Sequence, residues 1–454
     1  MYDARARAFL ARCLADAFLA GVWNERAMVD RAARALDPRP QWVRALAREV
    51  LAAYHRLPAD RPQELARFIS LVLADLPADG DDPAPPRVRR WLIPKPAMGR
   101  RRWPVPEIAS VGALAAFLGV SDGELAWFAD ARGLERTAED ERLRHYRYAT
   151  LPRPGRPGRP GRPVRVIERP KQRLKAIQRR LLHEVLDLIP AHEAAHGFTR
   201  GRSVRSHAAS HTGQFVVVRL DLTDFFASIT AGRVYGILRT AGYPEAVAYR
   251  LTALMTNVVP QTVWRTLRRP THPRQIVAHH HLGRQLATPH LPQGAPTSPA
   301  LANLAAFRLD RRLTGLARSL DINYSRYADD LTFSGPTQLV RSAATLRRAV
   351  AQIAREEGFT VNDEKSTLAT RAGRQRVCGV VVNKHLNVPR NEYDLLKAIL
   401  HNSAVHGPQT QNRHGFANFQ AHLLGRMAWV DSLNPTRGTK LRRRYAQIAW
   451  PDDQ

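Results

Sequence analysis

The chain has 454 residues, too many for one compact core, and a hydrophobic content of 44% that excludes a disordered polymer. Lys and Arg number 70 against 40 Asp and Glu, a formal net charge of +30. An anionic partner relieves such self-repulsion: nucleic acid first, an anionic membrane surface second, with a plain basic surface as the bland alternative. No run of about 18 apolar residues exists to span a membrane. The only two cysteines, Cys13 and Cys378, make no disulfide framework or metal motif and fit a reducing cytoplasm.

The first stretch, MYDARARAFLARCLADAFLAGVW, is Arg-rich like a transit peptide. Leu10, Cys13, Leu14, Ala17 and Phe18 nevertheless recur at helical spacing, and Asp3 and Asp16 interrupt the basic character, which predicts a docked amphipathic helix. Residues 1–76 read as three or four helices, and PADGDDPAPP at 77–86 as a linker. SVGALAAFLGVSDGELAWFAD (110–130) predicts two short helices around a Gly-Val-Ser turn. RPGRPGRPGRP (153–163) repeats every three residues and reads as an exposed cationic loop. VRVI (164–167) is a short strand signal. KQRLKAIQRRLLHEVLDLI (171–189) is an amphipathic helix with Leu174, Ile177, Leu181, Leu182 and Val185 on one face.

FVVVRL (215–220) predicts a buried strand that runs into Asp221, and LDLTDFFASI continues it into a turn and a helix. His279, His280 and His281 read as a solvated loop, because consecutive side chains diverge and no partner spacing supports a closed metal site. Helical patterns return at 298–320 and 338–357. Between them NYSRYADDLTFSG (323–335) alternates like a hairpin, RVCGVVVN (376–383) gives another strand, and from about residue 388 the chain is helical and basic. Helices packed on an antiparallel sheet make an α+β architecture.

Two adjacent aspartates, Asp329 and Asp330, interrupt that hairpin pattern. Carboxylates repel one another and strands disfavour Asp, although an ordinary acidic turn is the bland reading. Asp221, at the end of its strand, is positioned rigidly. Should the hairpin lie beside that strand, three carboxylates converge, an arrangement that is unfavourable unless a divalent cation compensates it. Mg²⁺ takes carboxylate and phosphate oxygens, and two such ions about 4 Å apart serve phosphoryl transfer.

HLPQGAPTSPALAN (290–303) lies between the acids and EEGFTVNDEKS (356–366) follows them. In this order the segments resemble the reverse-transcriptase palm and, motif for motif, bacterial retron reverse transcriptases, over roughly residues 111–450. The resemblance implies an RNA-directed DNA polymerase with the α+β right-hand fold of fingers, palm with antiparallel sheet, and helical thumb. Residues 1–86 would be an N-terminal helical extension, 87–137 a basic connector and the helical start of the fingers, 138–385 fingers and palm, and 386–454 the basic thumb. Asp221, Asp329 and Asp330 match the acids that bind two Mg²⁺ ions.

By the same resemblance Phe226 is the steric gate against ribonucleotides, with a core phenylalanine as its bland alternative. Gln293 and Gly294 of LPQG face the nascent pair, and Thr297 or Ser298 caps the helix that follows. Arg165 grips the incoming triphosphate, and Lys365 either protonates departing pyrophosphate or is a plain surface lysine. RVCGVVVN matches the primer-grip hairpin, making Arg376, Cys378 and Gly379 nucleic-acid contacts, with Cys378 where Thr is usual. HAASH stands where NAxxH is usual, with His207 for Asn and His211 retained as a nucleic-acid contact. The implied partners are dNTPs, a structured noncoding RNA as template-primer, its RNA–DNA product (msDNA), and an effector protein in antiphage defence. A defence-associated reverse transcriptase outside the retrons is an alternative, and a catalytically silent RNA-binding scaffold is one of another class.

Overall fold

The computed structural model describes residues 3–75, 86–153, 162–267 and 269–450. The expected linker, apart from Pro86, and most of the Gly-Pro-Arg repeat lie outside the described residues. The chain divides into two compact units, each discontinuous in sequence: 1–189 with 229–298, and 190–228 with 299–454.

The first unit opens with four helices, Ala4–Leu19, Glu25–Ala35, Val43–Ala53 and Pro62–Asp75. The predicted stripe Leu10, Cys13, Leu14, Ala17 and Phe18 is buried in their shared core. Asp3 caps the first helix by accepting from the Ala6 N–H at 2.6 Å. At its other end the buried Arg31 donates to the carbonyls of Ala17 (2.7 Å), Phe18 (2.9 Å) and Val22 (2.8 Å), satisfying groups that a helix terminus leaves bare. Strands β1 (Leu36–Asp37) and β2 (Arg87–Val88) pair, and β3 (Tyr146–Arg153) forms an antiparallel ladder with β4 (Arg162–Pro170).

Two short helices, Val111–Leu118 and Asp122–Phe128, appear where expected. Gly119, at φ 67°, ends the first, and a capping box between Ser121 and Glu124 starts the second. The helix Gln172–Glu184 stops short of 189 because Val185 leaves helical geometry and Leu186–Leu188 tightens into a 3₁₀ turn. The three histidines do not form a loop. They lie on the helix Pro273–Leu286, where His279 is buried with Leu282 and Leu286, at spacings of three and four, and stacks on Trp264 at 4.3 Å. Treating histidine as polar hid that stripe, since its ring packs like an aromatic face. His280 and His281 are exposed.

The second unit is built on a four-stranded antiparallel sheet of order β6-β7-β5-β8. Its strands are β5 (Val216–Leu222), β6 (Asn323–Tyr327), β7 (Asp330–Gly335) and β8 (Val361–Thr370). Helices Phe307–Ser319 and Gln338–Glu356 pack against it. RVCGVVVN forms a minimal hairpin of β9 (Arg376–Val377) and β10 (Val380–Val381), turned through Cys378 and Gly379 at φ 45° and 87°. Val377 and Val380 share a core with Val217 and with the C-terminal helices Arg390–His406, Phe419–Leu433 and Pro435–Tyr445. Among the described residues no single helix is long and apolar enough to cross a membrane.

Candidate active site

β5 begins as three buried valines and then alternates, with Leu220 and Leu222 buried while Arg219 and Asp221 are half-buried. Asp221 stands directly opposite Asp330 in the β5–β7 register, so both side chains project from one face of the sheet. Asp329 occupies the two-residue turn between β6 and β7, after Ala328 at φ 55°. A non-glycine residue in that region is strained, and three contacts hold it there. Arg326 donates to the Ala328 carbonyl at 3.0 Å, and the Leu222 N–H donates to the Asp329 carbonyl at 2.8 Å. Gly197 packs so closely that a Cβ on it would stand 2.7 Å from the Ala328 nitrogen. Arg326 is fully buried and is itself fixed by Asp310, at 2.6 and 2.8 Å, and by Asn303.

Cationic side chains meet the acids. Lys365 on β8 pairs with Asp221 at 2.5 Å, and Arg219 pairs with Asp330. Burial, then the Asp221 charge, raises the Asp329 pKa. Burial also raises that of Asp330, with Arg219 opposing the shift. The Cys378 thiol donates to Asp330 at 3.6 Å and is pushed up to about 12 by burial and then by that carboxylate. Hard carboxylate oxygens on facing strands suit a divalent ion of the magnesium type. Among the described residues, however, no three His, Cys, Asp or Glu side chains form a ready metal-ligand set, and Lys365 and Arg219 engage two of the acids.

Of the two phenylalanines after Asp224, Phe225 is the core residue; Phe226 is half-buried and its ring lies 6.4 Å from that of Phe198. Phe198 also lies 6.2 Å from Tyr327, so an aromatic cluster flanks the aspartate turn.

The reading of His211 as a nucleic-acid contact is corrected by its burial. The ring is fully enclosed, with Nδ1 2.7 Å from Ser334 Oγ and Nε2 2.8 Å from Ser325 Oγ, leaving no nitrogen for an outside partner. His207 joins this network at 2.7 Å from Ser325 Oγ. Desolvation, aided by neighbouring cations and histidines, lowers the pKa of His207 to about 2 and of His211 to about 3. The two histidines therefore pin β6 to β7 behind the acids. Cys378 is half-buried against Asp330, Arg376 lies 3.8 Å from Glu392, and Gly379 is exposed at the hairpin tip.

Arg165, Gln293 and Gly294 belong to the other compact unit. There β4 and the LPQG segment clip together: the Glu168 N–H donates to the Gln293 carbonyl at 2.9 Å, and His290 meets the buried Glu168 carboxylate at 3.0 Å. Gly294, at φ 132°, is required because a Cβ would strike the Glu168 carbonyl at 2.8 Å. Arg165 lies on β4 with its Nε buried and unpartnered among the described residues. The expected cap does not form. The helix Ser298–Ala305 follows directly on Thr297, whose hydroxyl has no partner among the described residues, while the Ser298 hydroxyl donates to the Pro292 carbonyl.

The chain matches the family described as reverse transcriptase (RNA-dependent DNA polymerase) over residues 159–411. It is 41% identical to the retron Mx65 reverse transcriptase of Myxococcus xanthus across 78% of this chain and 75% of that protein. The retron Mx162 enzyme of the same organism is 38% identical over 73% of this chain and 65% of that protein, and the retron Ec86 enzyme of Escherichia coli 30% identical over 52% and 65%. This chain belongs to the retron reverse transcriptase family. A telomerase structure from Candida albicans aligns over 66% of the chain and 56% of that chain at 9% identity, with a TM-score of 0.35, too distant to carry an argument.

The retron reverse transcriptase is thus an RNA-directed DNA polymerase of polymerase fold, from a family that uses divalent metal ions, an RNA template and dNTPs. Sequence reasoning missed Arg219, Gly197 and the Arg326–Asp310 pair. Arg219 was findable as the one charge in an apolar strand, two positions before Asp221 and hence on its face. Gly197 and Asp310 lie more than 100 and nearly 20 residues from the aspartate turn and carry no local signal.

Proposed function

We propose that this retron reverse transcriptase copies a structured noncoding RNA into DNA, making a branched RNA–DNA product (msDNA), and acts in antiphage defence with a separate effector protein in the cytoplasm. The observation that carries the catalytic reading is the register of Asp221 against Asp330 with Asp329 in the adjoining turn. In this reading the four-stranded sheet is the palm, the β3–β4 hairpin belongs to the fingers and the three C-terminal helices are the thumb, with residues 1–86 a helical extension.

Asp221, Asp329 and Asp330 would hold two Mg²⁺ ions, which when bound activate the attacking hydroxyl and stabilise the leaving oxygen. A 3′-hydroxyl, or at initiation a 2′-hydroxyl of the RNA, attacks the α-phosphate of a dNTP and pyrophosphate leaves. Arg165 binds the triphosphate by its guanidinium fork. Phe226 stands against a ribose 2′-hydroxyl, and its partial exposure beside Phe198 supports a gate over a core role. Gln293 and Gly294 present side chain and backbone to the nascent base pair. Lys365, held at Asp221, supplies the proton for pyrophosphate. Arg376, Cys378 and Gly379 lie on the hairpin that supports the primer.

Primer extension on an RNA template with Mg²⁺ tests this, comparing wild type with Asp329→Asn/Asp330→Asn; equal activity overturns the catalytic assignment. The scaffold alternative predicts that equality. Transcribing the DNA adjoining the coding region and looking for a branched product tests the RNA substrate separately.

A further inference from the structure

The first compact unit contains a cavity of about 780 Å³ that includes none of the residues assigned to catalysis or triphosphate binding. Its size lies in the range of small-molecule sites. Phe128, Tyr235 and Tyr249 supply aromatic walls, and Tyr249 is 66% exposed at the surface. Stacking on such rings is the usual way a protein holds a nucleobase irrespective of sequence.

The charges around the cavity are asymmetric in availability. Arg67, Arg136 and Arg250 line it and form no ion pair among the described residues. The acids are spent on the protein's own donors. Asp130 accepts from the Leu134 and Glu135 N–H groups, and Glu245 from those of Gln63 and Glu64 at the start of the helix Pro62–Asp75. Glu135 accepts from the Tyr148 hydroxyl at 2.6 Å and from the His145 N–H. The cavity therefore offers three guanidinium groups and no comparably free carboxylate to an incoming anion.

His145, another lining residue, is 5% exposed, with its Nε2 enclosed and without a partner among the described residues. Its ring meets that of Trp127 edge-on at 5.0 Å, and burial lowers its pKa, so it adds no positive charge to the cavity.

We propose that this cavity is a second nucleotide site, in which aromatic rings stack the base and Arg67, Arg136 and Arg250 bind the phosphate. The nucleotide is either an unpaired residue of the RNA or a free nucleotide. AMP is the probe for the shared chemistry, used with EDTA so that no metal-dependent triphosphate binding contributes. AMP should raise the thermal midpoint of wild type and of Asp329→Asn/Asp330→Asn equally, which separates this site from the catalytic one. Arg67→Glu/Arg250→Glu, and independently the exposed Tyr249→Ala, should weaken AMP at least tenfold. A midpoint unmoved by AMP, or an affinity unchanged in both variants, overturns the site. RNA substituted with 4-thiouridine identifies the source: photocrosslinks at Tyr235 or Tyr249 that AMP displaces assign the site to RNA, and AMP binding without them assigns it to a free nucleotide.

Discussion

Arg219 binds Asp330 diagonally across the sheet, from a position two residues before Asp221 on the neighbouring strand. The same face of β5 thus carries one acid of the proposed site and a cation that neutralises another. This arrangement eases the gathering of three carboxylates on one sheet: Asp221 and Asp330 each have a protein cation within contact distance.

Removing that cation has a signed consequence. Burial raises the Asp330 pKa and Arg219 opposes it, so Arg219→Met should raise it further. Because catalysis needs the carboxylate ionised, the acid limb of the pH–rate profile should move to higher pH, whereas Arg219→Lys should keep most of the wild-type profile. An acid limb that stays in place in Arg219→Met would show that the pair does not set the ionisation of Asp330.

Gly197→Ala should damage the aspartate turn without touching an acid. The added Cβ would meet the Ala328 backbone nitrogen at 2.7 Å, and neither backbone segment is free to yield. A loss of about 1–3 kcal/mol in denaturant unfolding is expected, together with a fall in primer extension. Wild-type stability and activity in this variant would mean that the contact relaxes.

His207 and His211 make stability depend on pH in one direction. Their folded pKa values, about 2 and about 3, lie below the unfolded value of about 6.5. Above that value both states are neutral. Below it the unfolded chain takes up protons that the folded chain refuses, so stability falls as pH drops, by about 1.4 kcal/mol per pH unit for each histidine. Urea titrations between about pH 7 and pH 5 should show this slope, and His207→Gln/His211→Gln should flatten it.

Phe226→Ala should relax sugar selection. With the ring removed, incorporation of ribonucleotides relative to deoxynucleotides should rise, read as the ratio of kcat/KM values for the two. Undiminished exclusion of ribonucleotides would assign the gate to another residue, with Phe198 the nearest aromatic candidate.

Periodicity and caps made much of the fold legible. The stripe from Leu10 to Phe18, the Gly119 stop and the Ser121–Glu124 box each act within a turn or two of helix, so neighbouring residues suffice to specify them. Asp221 at a strand end and the aspartate pair in a hairpin were equally visible, because strand alternation and turn chemistry are local. The stacked His279 was not, since its burial depends on Trp264. Nor was the enclosure of His211 between two serines more than 100 residues away.

By itself, then, the sequence determined most of the elements, the family and the acids, which are written in short-range patterns. Tertiary structure alone decided which cation meets which carboxylate, which glycine admits the turn, and which histidines are sealed from solvent. Those outcomes follow from strand register and close approach between distant segments, where a shift of one residue would send every side chain to the opposite face.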